Sequence, residues 1–120
     1  MKVTILLSTY NGEQFLAEQI KSIQEQTYRD WQLLIRDDGS TDGTQAVIED
    51  FCRKDDRISF INRENPQNLG VIQSFHSLLQ YQDSDFYLFS DQDDVWLPDK
   101  IAMQLTEADK YDSSQPLLVY

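Results

Sequence analysis

Apolar residues along the chain fall in short unbroken runs, separated by stretches where they return every three or four positions. Val3-Thr4-Ile5-Leu6-Leu7 reads as a strand, and Phe15, Leu16, Ile20 and Ile23 follow at helical spacing, with Asn11-Gly12 as the opening turn. Trp31 to Ile35 is a second strand. Ser40-Thr41-Asp42-Gly43-Thr44 is turn and cap chemistry ahead of a helix carrying Val47, Ile48 and Phe51. Ile58 to Ile61 predicts a short third strand, Asn65 to Gly70 a loop, Val71 to Tyr81 a helix, and Phe86 to Phe89 a fourth strand. Pro98 suits the first turn of a last helix and Asp99 its positive end, with Ile101, Leu105 and Ala108 along one face. Leu117-Leu118-Val119-Tyr120 opens a fifth strand.

Alternation of this kind predicts an α/β fold, a Rossmann-like and mostly parallel sheet with helices on both faces. The runs are continuously apolar, as strands buried on both sides should be. No internal repeat, low-complexity stretch or linker interrupts them, and 120 residues fit one domain. A chain that stops inside an apolar strand, before the helix that should follow, is expected to be the N-terminal part of a larger protein or a trimmed piece of one.

Composition narrows the partners. Net charge is −11, with 21 acids against 10 bases, so a nucleic acid is not an expected partner, because binding phosphate chains needs clustered Lys and Arg. A small phosphorylated ligand remains open if a metal ion supplies the positive charge. One cysteine excludes an internal disulfide, and Cys52, beside Phe51 on a helical apolar face, reads as a small core residue. No run approaches the roughly 20 apolar residues of a membrane span, and Val3–Leu7 is too short for a signal-peptide core. The expected compartment is the cytoplasm, with a peripheral position at the inner face of the membrane left open.

In open parallel sheets, ligands bind at the carboxyl ends of the strands. Those ends carry Ser8-Thr9-Tyr10 after the first strand, Asp37-Asp38 after the second, and Asp91-Gln92-Asp93-Asp94 after the fourth. Asp91 and Asp93 are two apart, so an extended backbone points both to one side. From Glu64 to Asp99 inclusive the chain has seven acids and no Lys or Arg. A hard divalent cation, Mg²⁺ or Mn²⁺, is the natural guest for such oxygen ligands, held by one or two carboxylates plus substrate phosphates. The plainer alternative is that the acids cap the next helix and keep a strand end soluble, for which one Asp would suffice. No G-x-G-x-x-G or G-x-x-x-x-G-K-[ST] cradle is present, no Cys–His metal cluster, and no constellation that would make Ser8 a nucleophile. His76 reads as structural, on the helix after Gly70.

Asp38 allows a chemical inference. A carboxylate only accepts hydrogen bonds, so facing a base edge it favours uracil, thymine or guanine, whose rings carry an N–H, over cytosine. Tyr10 could supply a stacking face. The alternative for Asp37-Asp38-Gly39-Ser40 is an ordinary capped turn.

Taken in order, Ser8-Thr9-Tyr10-Asn11, Asp37-Asp38-Gly39-Ser40-Thr41-Asp42-Gly43-Thr44, Asn68-Leu69-Gly70 and Asp91-Gln92-Asp93-Asp94 resemble the family 2 glycosyltransferases, which have the GT-A fold. The stretch Asp91 to Lys100 is most similar to the rhamnosyltransferase-like branch. The resemblance covers essentially the whole chain and implies that residues 1–120 are the nucleotide-sugar-binding part of a glycosyltransferase domain. It implies a nucleoside-diphosphate sugar as donor, linked to UDP or dTDP, a divalent Mn²⁺ or Mg²⁺, and inversion on transfer to an acceptor hydroxyl. By that resemblance Ser8, Thr9, Tyr10, Asp37, Asp38, Asp91 and Asp93 contact substrate, and Asp93 and Asp94 serve the metal and diphosphate. The general base and the surface for a saccharide or lipid-linked acceptor are expected beyond residue 120, so this part should bind donor without turning it over. The wider setting it implies is bacterial cell-surface polysaccharide synthesis. One departure concerns the helix after Gly70: many relatives carry a basic residue there, and Val71-Ile72-Gln73-Ser74 has none.

Two rival readings meet specific obstacles. A haloacid-dehalogenase-like phosphatase would use Asp91 as nucleophile and Asp93 as acid–base partner, but its D-x-D-x-V motif belongs on the first strand. A non-catalytic, receiver-like metal-binding domain needs an acid pair after the first strand, where this chain has Ser8-Thr9-Tyr10. It also needs an Asp after the third, where Asn62-Arg63 stand.

Overall fold

Seven consecutive buried residues, Val3–Thr9, form β1, the middle strand of a five-stranded parallel sheet ordered β3-β2-β1-β4-β5. The other strands are β2 (Trp31–Asp37), β3 (Ile58–Phe60), β4 (Phe86–Ser90) and β5 (Leu117–Val119); the helices are α1 (Glu13–Gln24), α2 (Thr44–Lys54), α3 (Val71–Tyr81) and α4 (Lys100–Ala108). The computed structural model describes residues 2–64, 67–91, 94–108 and 117–119.

Side-chain alternation along each strand explains the unbroken apolar runs. Val3, Ile5 and Leu7 of β1, Leu33 and Ile35 of β2, and Phe86 and Leu88 of β4 face one core with Leu16, Ile20 and Ile23 of α1, Ile48 of α2 and Ile101 of α4. Leu6, Leu34, Tyr87 and Phe89 face a second core closed by Leu78 of α3, where the rings of Phe75 and Phe89 meet edge to face at 4.9 Å. With both faces covered, every strand position must be apolar or paired. Removing one such side chain, for instance Ile5→Ala, costs about 2–5 kcal/mol.

Three features depart from the reading of the sequence. The strands run past their apolar segments: Ser8 pairs with Arg36 and Thr9 with Asp37, so polar residues join the ladder at its carboxyl end. Phe15 lies off the buried stripe of α1, 49% exposed, while polar Gln19 and Ser22 are buried on it. Pro98 sits in a turn just ahead of α4 rather than in its first turn, with the Lys100 amide donating to the Leu97 carbonyl at 3.1 Å, while Asp99 stands at the helix's positive end as expected, its carbonyl accepting the Met103 amide at 2.9 Å. Cys52 is half-buried against the first core, as expected of a small packing residue, and burial pushes its thiol up.

Strand order sets the location of a ligand site. From β1 the chain moves outward through β2 to β3, then returns to place β4 on the other flank of β1. This reversal opens a crevice beyond the carboxyl ends of β1 and β4.

Candidate nucleotide site at the carboxyl edge of the sheet

Two loops at this edge are stitched to each other. Asn11, the one described non-glycine residue with positive φ (48°), turns the chain after β1. Its Oδ1 accepts from the Thr41 amide at 2.8 Å, and its own amide donates to Ser40 Oγ at 2.8 Å. The Gly12 amide donates to Thr44 Oγ1 and the Glu13 amide to Asp42 Oδ2, at 3.0 and 3.3 Å. Much of the Ser-Thr-Tyr-Asn and Asp-Gly-Ser-Thr-Asp-Gly-Thr pattern is therefore cross-bracing between the β1–α1 and β2–α2 connections. The first amides of α1 gain acceptors they would otherwise lack. Asp42 is held below the usual carboxylate range, chiefly by its hydrogen bond from Thr44.

Asp37 and Asp38 part company because successive residues of an extended chain face opposite ways. Asp37 is fully buried. Its carboxylate accepts from the Ser40 amide at 3.0 Å, from Ser40 Oγ and from Gln45 Nε2 at 2.9 Å. Its peptide is clamped by Asn62, which donates Nδ2 to the Asp37 carbonyl at 2.6 Å and accepts the Asp37 amide at 3.0 Å. This geometry weighs against the direct substrate contact expected of Asp37: the residue has no exposed surface, and the three hydrogen bonds its carboxylate accepts all come from the turn and the helix after it.

Asp38 lies on the other face, with Arg36. The two form an ion pair at 2.8 Å with side chains 7% and 5% exposed. Asp38 Oδ1 also accepts the Leu69 amide at 2.7 Å, and Oδ2 the Gly70 amide at 3.1 Å. Arg36 reaches on to Ser74 Oγ at 3.1 Å and the Gln67 carbonyl at 2.8 Å, and Ser74 Oγ lies 2.5 Å from Ser8 Oγ. Close approach of this loop explains Gly39: its φ is +83°, and a Cβ there would stand 3.1 Å from the Asn68 nitrogen. Arg36 is absent from the residues the sequence pointed to, since it lies well upstream of the cation-free span from Glu64 to Asp99. Its signal was present: a charge at the end of a buried strand, two residues from an Asp on the same face.

Of the first-strand residues, Ser8 and Thr9 are buried, and Thr9 Oγ1 has no hydrogen-bond partner among the described residues. Tyr10 is 43% exposed and is the one of the three that presents a ring to solvent.

At the end of β4, Asp91 and Asp94 are exposed. The Asp94 amide donates to the Asp91 carbonyl at 3.1 Å, and Trp96 Nε1 donates to Asp94 Oδ2 at 3.1 Å. Asp93 and Gln92 lie outside the described residues. Beside Asp91 runs a mainly apolar cleft of about 340 Å³, lined by Val71, Ile72, Phe75 and Phe89, and by His76. His76 is exposed on α3 and lines this cleft.

Among the described residues no group of three or more His, Cys, Asp or Glu side chains forms a metal site. Asp91 and Asp94 fit a divalent ion only if oxygens from a bound ligand complete its coordination, as is usual for Mg²⁺ with phosphate substrates.

Comparison with known proteins places this edge in context. The family described as "Glycosyl transferase family 2" matches residues 4–118. The dTDP-rhamnosyl transferase RfbG of Shigella flexneri is 39% identical over 98 residues, which are 79% of this chain and 34% of that protein. The structure of S. aureus TarS 1-349 in complex with UDP-GlcNAc superposes with a TM-score of 0.80 at 23% identity, covering 92% of this chain and 32% of that one. That of the mannosyltransferase PcManGT from Pyrobaculum calidifontis, in complex with GDP-Man and Mn²⁺, gives 0.71 at 21% identity over 79% and 28%. The chain spans 40% or less of the length of these relatives.

Proposed function

Because the chain belongs to glycosyl transferase family 2, we propose that residues 1–120 are the donor-binding part of an enzyme that moves a sugar from a nucleoside diphosphate to an acceptor hydroxyl, with inversion. The observation that carries this reading is the convergence of Tyr10, Asp38, Asp91 and Asp94 at the carboxyl ends of three adjacent parallel strands, around the point where strand order reverses.

Asp38 reads the base. A carboxylate offers about four acceptor positions; Oδ1 takes Arg36 and Leu69, and Oδ2 takes Gly70. The remaining capacity on Oδ2 accepts a ring N–H, which uracil, thymine and guanine have and cytosine lacks. The similar proteins named above carry dTDP-, UDP- and GDP-linked sugars, one for each of those bases. Tyr10 stacks on the base, and Asp37 holds the turn that presents Asp38. Ser8 acts through Ser74 on the Arg36–Asp38 pair, and Thr9 through its carbonyl, which accepts the Asp38 amide at 2.8 Å.

Asp94 and Asp91 serve the diphosphate, joined by Asp93 on the strength of the family resemblance. A divalent ion held there, Mn²⁺ as in the PcManGT complex or Mg²⁺, would supply Lewis-acid neutralisation of the departing diphosphate. The proton acceptor and the saccharide or lipid-linked acceptor site are assigned to sequence beyond residue 120, so these residues bind donor without turnover. No helix among the described residues is long and apolar enough to cross a membrane. The compartment that suits a nucleotide-sugar donor is the cytoplasm, with a position at the membrane's inner face when the acceptor is lipid-linked.

The test is calorimetric titration with UDP, dTDP, GDP and CDP, each with and without Mn²⁺. Binding of the first two that strengthens with metal, and weak binding of CDP, supports the assignment. Equal affinity for all four removes the role of Asp38, and indifference to metal in both wild type and Asp94→Asn removes the role of the β4 acids.

A further inference from the structure

One helix of the fold carries a polar stripe that the proposed function does not use. Gln19, Ser22 and Gln26 recur on one side of α1 and the turn after it, at 1%, 8% and 0% exposure. Burying three polar side chains between a helix and a loop is unfavourable unless they find partners, and all three find them in the same segment, with Gln19 Oε1 alone of their polar atoms left without a partner among the described residues. Gln19 Nε2 donates to Ser90 Oγ at 2.8 Å and to the Asp91 carbonyl at 2.5 Å. Ser22 Oγ accepts the Trp96 amide at 3.0 Å while donating to the Gln19 carbonyl at 2.6 Å. Gln26 donates to the Leu97 carbonyl at 2.7 Å and accepts the Ile101 amide at 3.0 Å. Thr27 continues the series, its amide on the Pro98 carbonyl and its hydroxyl on Asp99 Oδ1, both at 2.9 Å.

We infer that this stripe is a positioning ladder for the acidic segment: α1 and the turn after it fix the backbone at Asp91 and again from Trp96 to Ile101, so that the strand end carrying Asp91 and Asp94 is ordered before any cation arrives. The segment is otherwise short of anchors. Asp91 and residues 94–97 belong to neither strand nor helix, and Asp91 and Asp94 are exposed. Like charges this close favour a splayed loop, and the cost of gathering them has to be met before binding or taken from the binding energy. Five contacts from α1 and the turn after it to main-chain atoms at positions 91, 96, 97, 98 and 101 meet that cost in advance. The stripe is polar because its partners are backbone amides and carbonyls; an apolar stripe would bury the helix equally well but leave the loop backbone unpaired. The inference rests on the donor-binding reading, since it assigns the ladder to the metal-dependent part of that site.

The experiment uses the whole chain and two probes, Mn²⁺ with UDP in calorimetry and amide hydrogen exchange with no ligand present. Gln19→Leu keeps the size of a buried side chain and removes both donated bonds. It is expected to weaken the apparent Mn²⁺ affinity about tenfold, the scale of losing an outer-shell contact, while the preference for UDP over CDP stays as in wild type. Ser22→Ala should speed exchange at the Trp96 amide and weaken Mn²⁺, and Ser22→Thr, which restores the hydroxyl, should recover both. Gln24→Leu is the control: it lies on the same helix but donates to Asp55 on the far side, at 3.1 Å, and should leave Mn²⁺ affinity unchanged. Wild-type exchange at the Trp96 and Ile101 amides as fast as in an exposed loop overturns the ladder. So does a Gln19→Leu protein with wild-type Mn²⁺ affinity, or a Gln24→Leu protein as impaired as Gln19→Leu. If wild type binds UDP with no response to Mn²⁺, the metal reading of the β4 acids falls and takes this inference with it. Slow exchange at the two amides would then report a brace of structural value only.

Discussion

Asp38→Ala, the substitution that most directly removes the proposed base reader, should first of all damage the fold. Asp38 and Arg36 are 7% and 5% exposed and 2.8 Å apart, so truncating the acid leaves a guanidinium buried without its counter-charge. Breaking a buried pair in this way costs about 3–5 kcal/mol, against a total stability of about 5–15 kcal/mol for a domain. The Leu69 and Gly70 amides also lose their acceptor, but both residues are exposed and water can replace it. Urea unfolding followed by the fluorescence of Trp31 and Trp96 measures the loss. The double variant Arg36→Met/Asp38→Ala removes both charges and should regain about 2 kcal/mol or more over the single, since replacing both partners is far cheaper than orphaning one. Base selectivity is then read as the ratio of UDP to CDP affinity in one variant. A partly unfolded population scales both apparent affinities by the same fraction, so it cancels in the ratio. A loss under about 1 kcal/mol for Asp38→Ala, or a double variant no more stable than the single, would refute the buried-pair argument.

Asp55 gives a pH signature: its carboxyl is pulled down to about 2, first by the side-chain bonds from Arg57, against the opposing effect of burial. The folded value lies below the unfolded one, so this stabilisation is present above about pH 4 and fades as pH falls toward 2. With the side chain 12% exposed it amounts to about 1–2 kcal/mol; Asp55→Asn should lose that much at pH 7 and match wild type near pH 2, and a gap independent of pH would count against it. Gly39→Ala forces a side chain into positive φ and against Asn68, and should cost about 1–3 kcal/mol in thermal or urea unfolding. It should also relax the UDP-to-CDP ratio, because Asn68 leads the loop that ties to Asp38; an unchanged ratio would detach that loop from base reading. Cys52, whose thiol is pushed up by burial, should react with a thiol reagent at pH 8 more slowly in the folded than in the urea-unfolded chain.

The helices and strands were legible because both sheet faces are covered, which writes each strand as an apolar run and each helix as a recurring apolar position. Val71–Tyr81 was read with the bounds the structure gives it. Phe15 misled for a definable reason: a search for apolar periodicity credits every apolar residue near the stripe and none of the polar ones. In α1 the buried stripe includes Gln19 and Ser22, placed there by loop backbone that needs partners. Asp37 and Asp38 look equivalent in the sequence, and only strand alternation separates them, sending one to Ser40 and Gln45 and the other to Arg36. The role expected of Asp93 rests on the resemblance, since that residue lies outside those described.

Charge repulsion also has to be argued separately at the two acidic strand ends. At the end of β2 it needs no metal: Arg36 and the Leu69 and Gly70 amides surround Asp38, and hydroxyl, amide and Gln45 donors surround Asp37. At the end of β4, Asp91 and Asp94 form no ion pair with Lys or Arg among the described residues, and the help from neighbouring donors is a single indole N–H on Asp94. Base recognition and diphosphate binding should therefore be separable. The first follows groups whose charge is already balanced inside the fold, so the UDP-to-CDP ratio should hold with or without Mn²⁺. The second follows carboxylates that await a cation, so Mn²⁺ should raise the affinity for both nucleotides by a common factor.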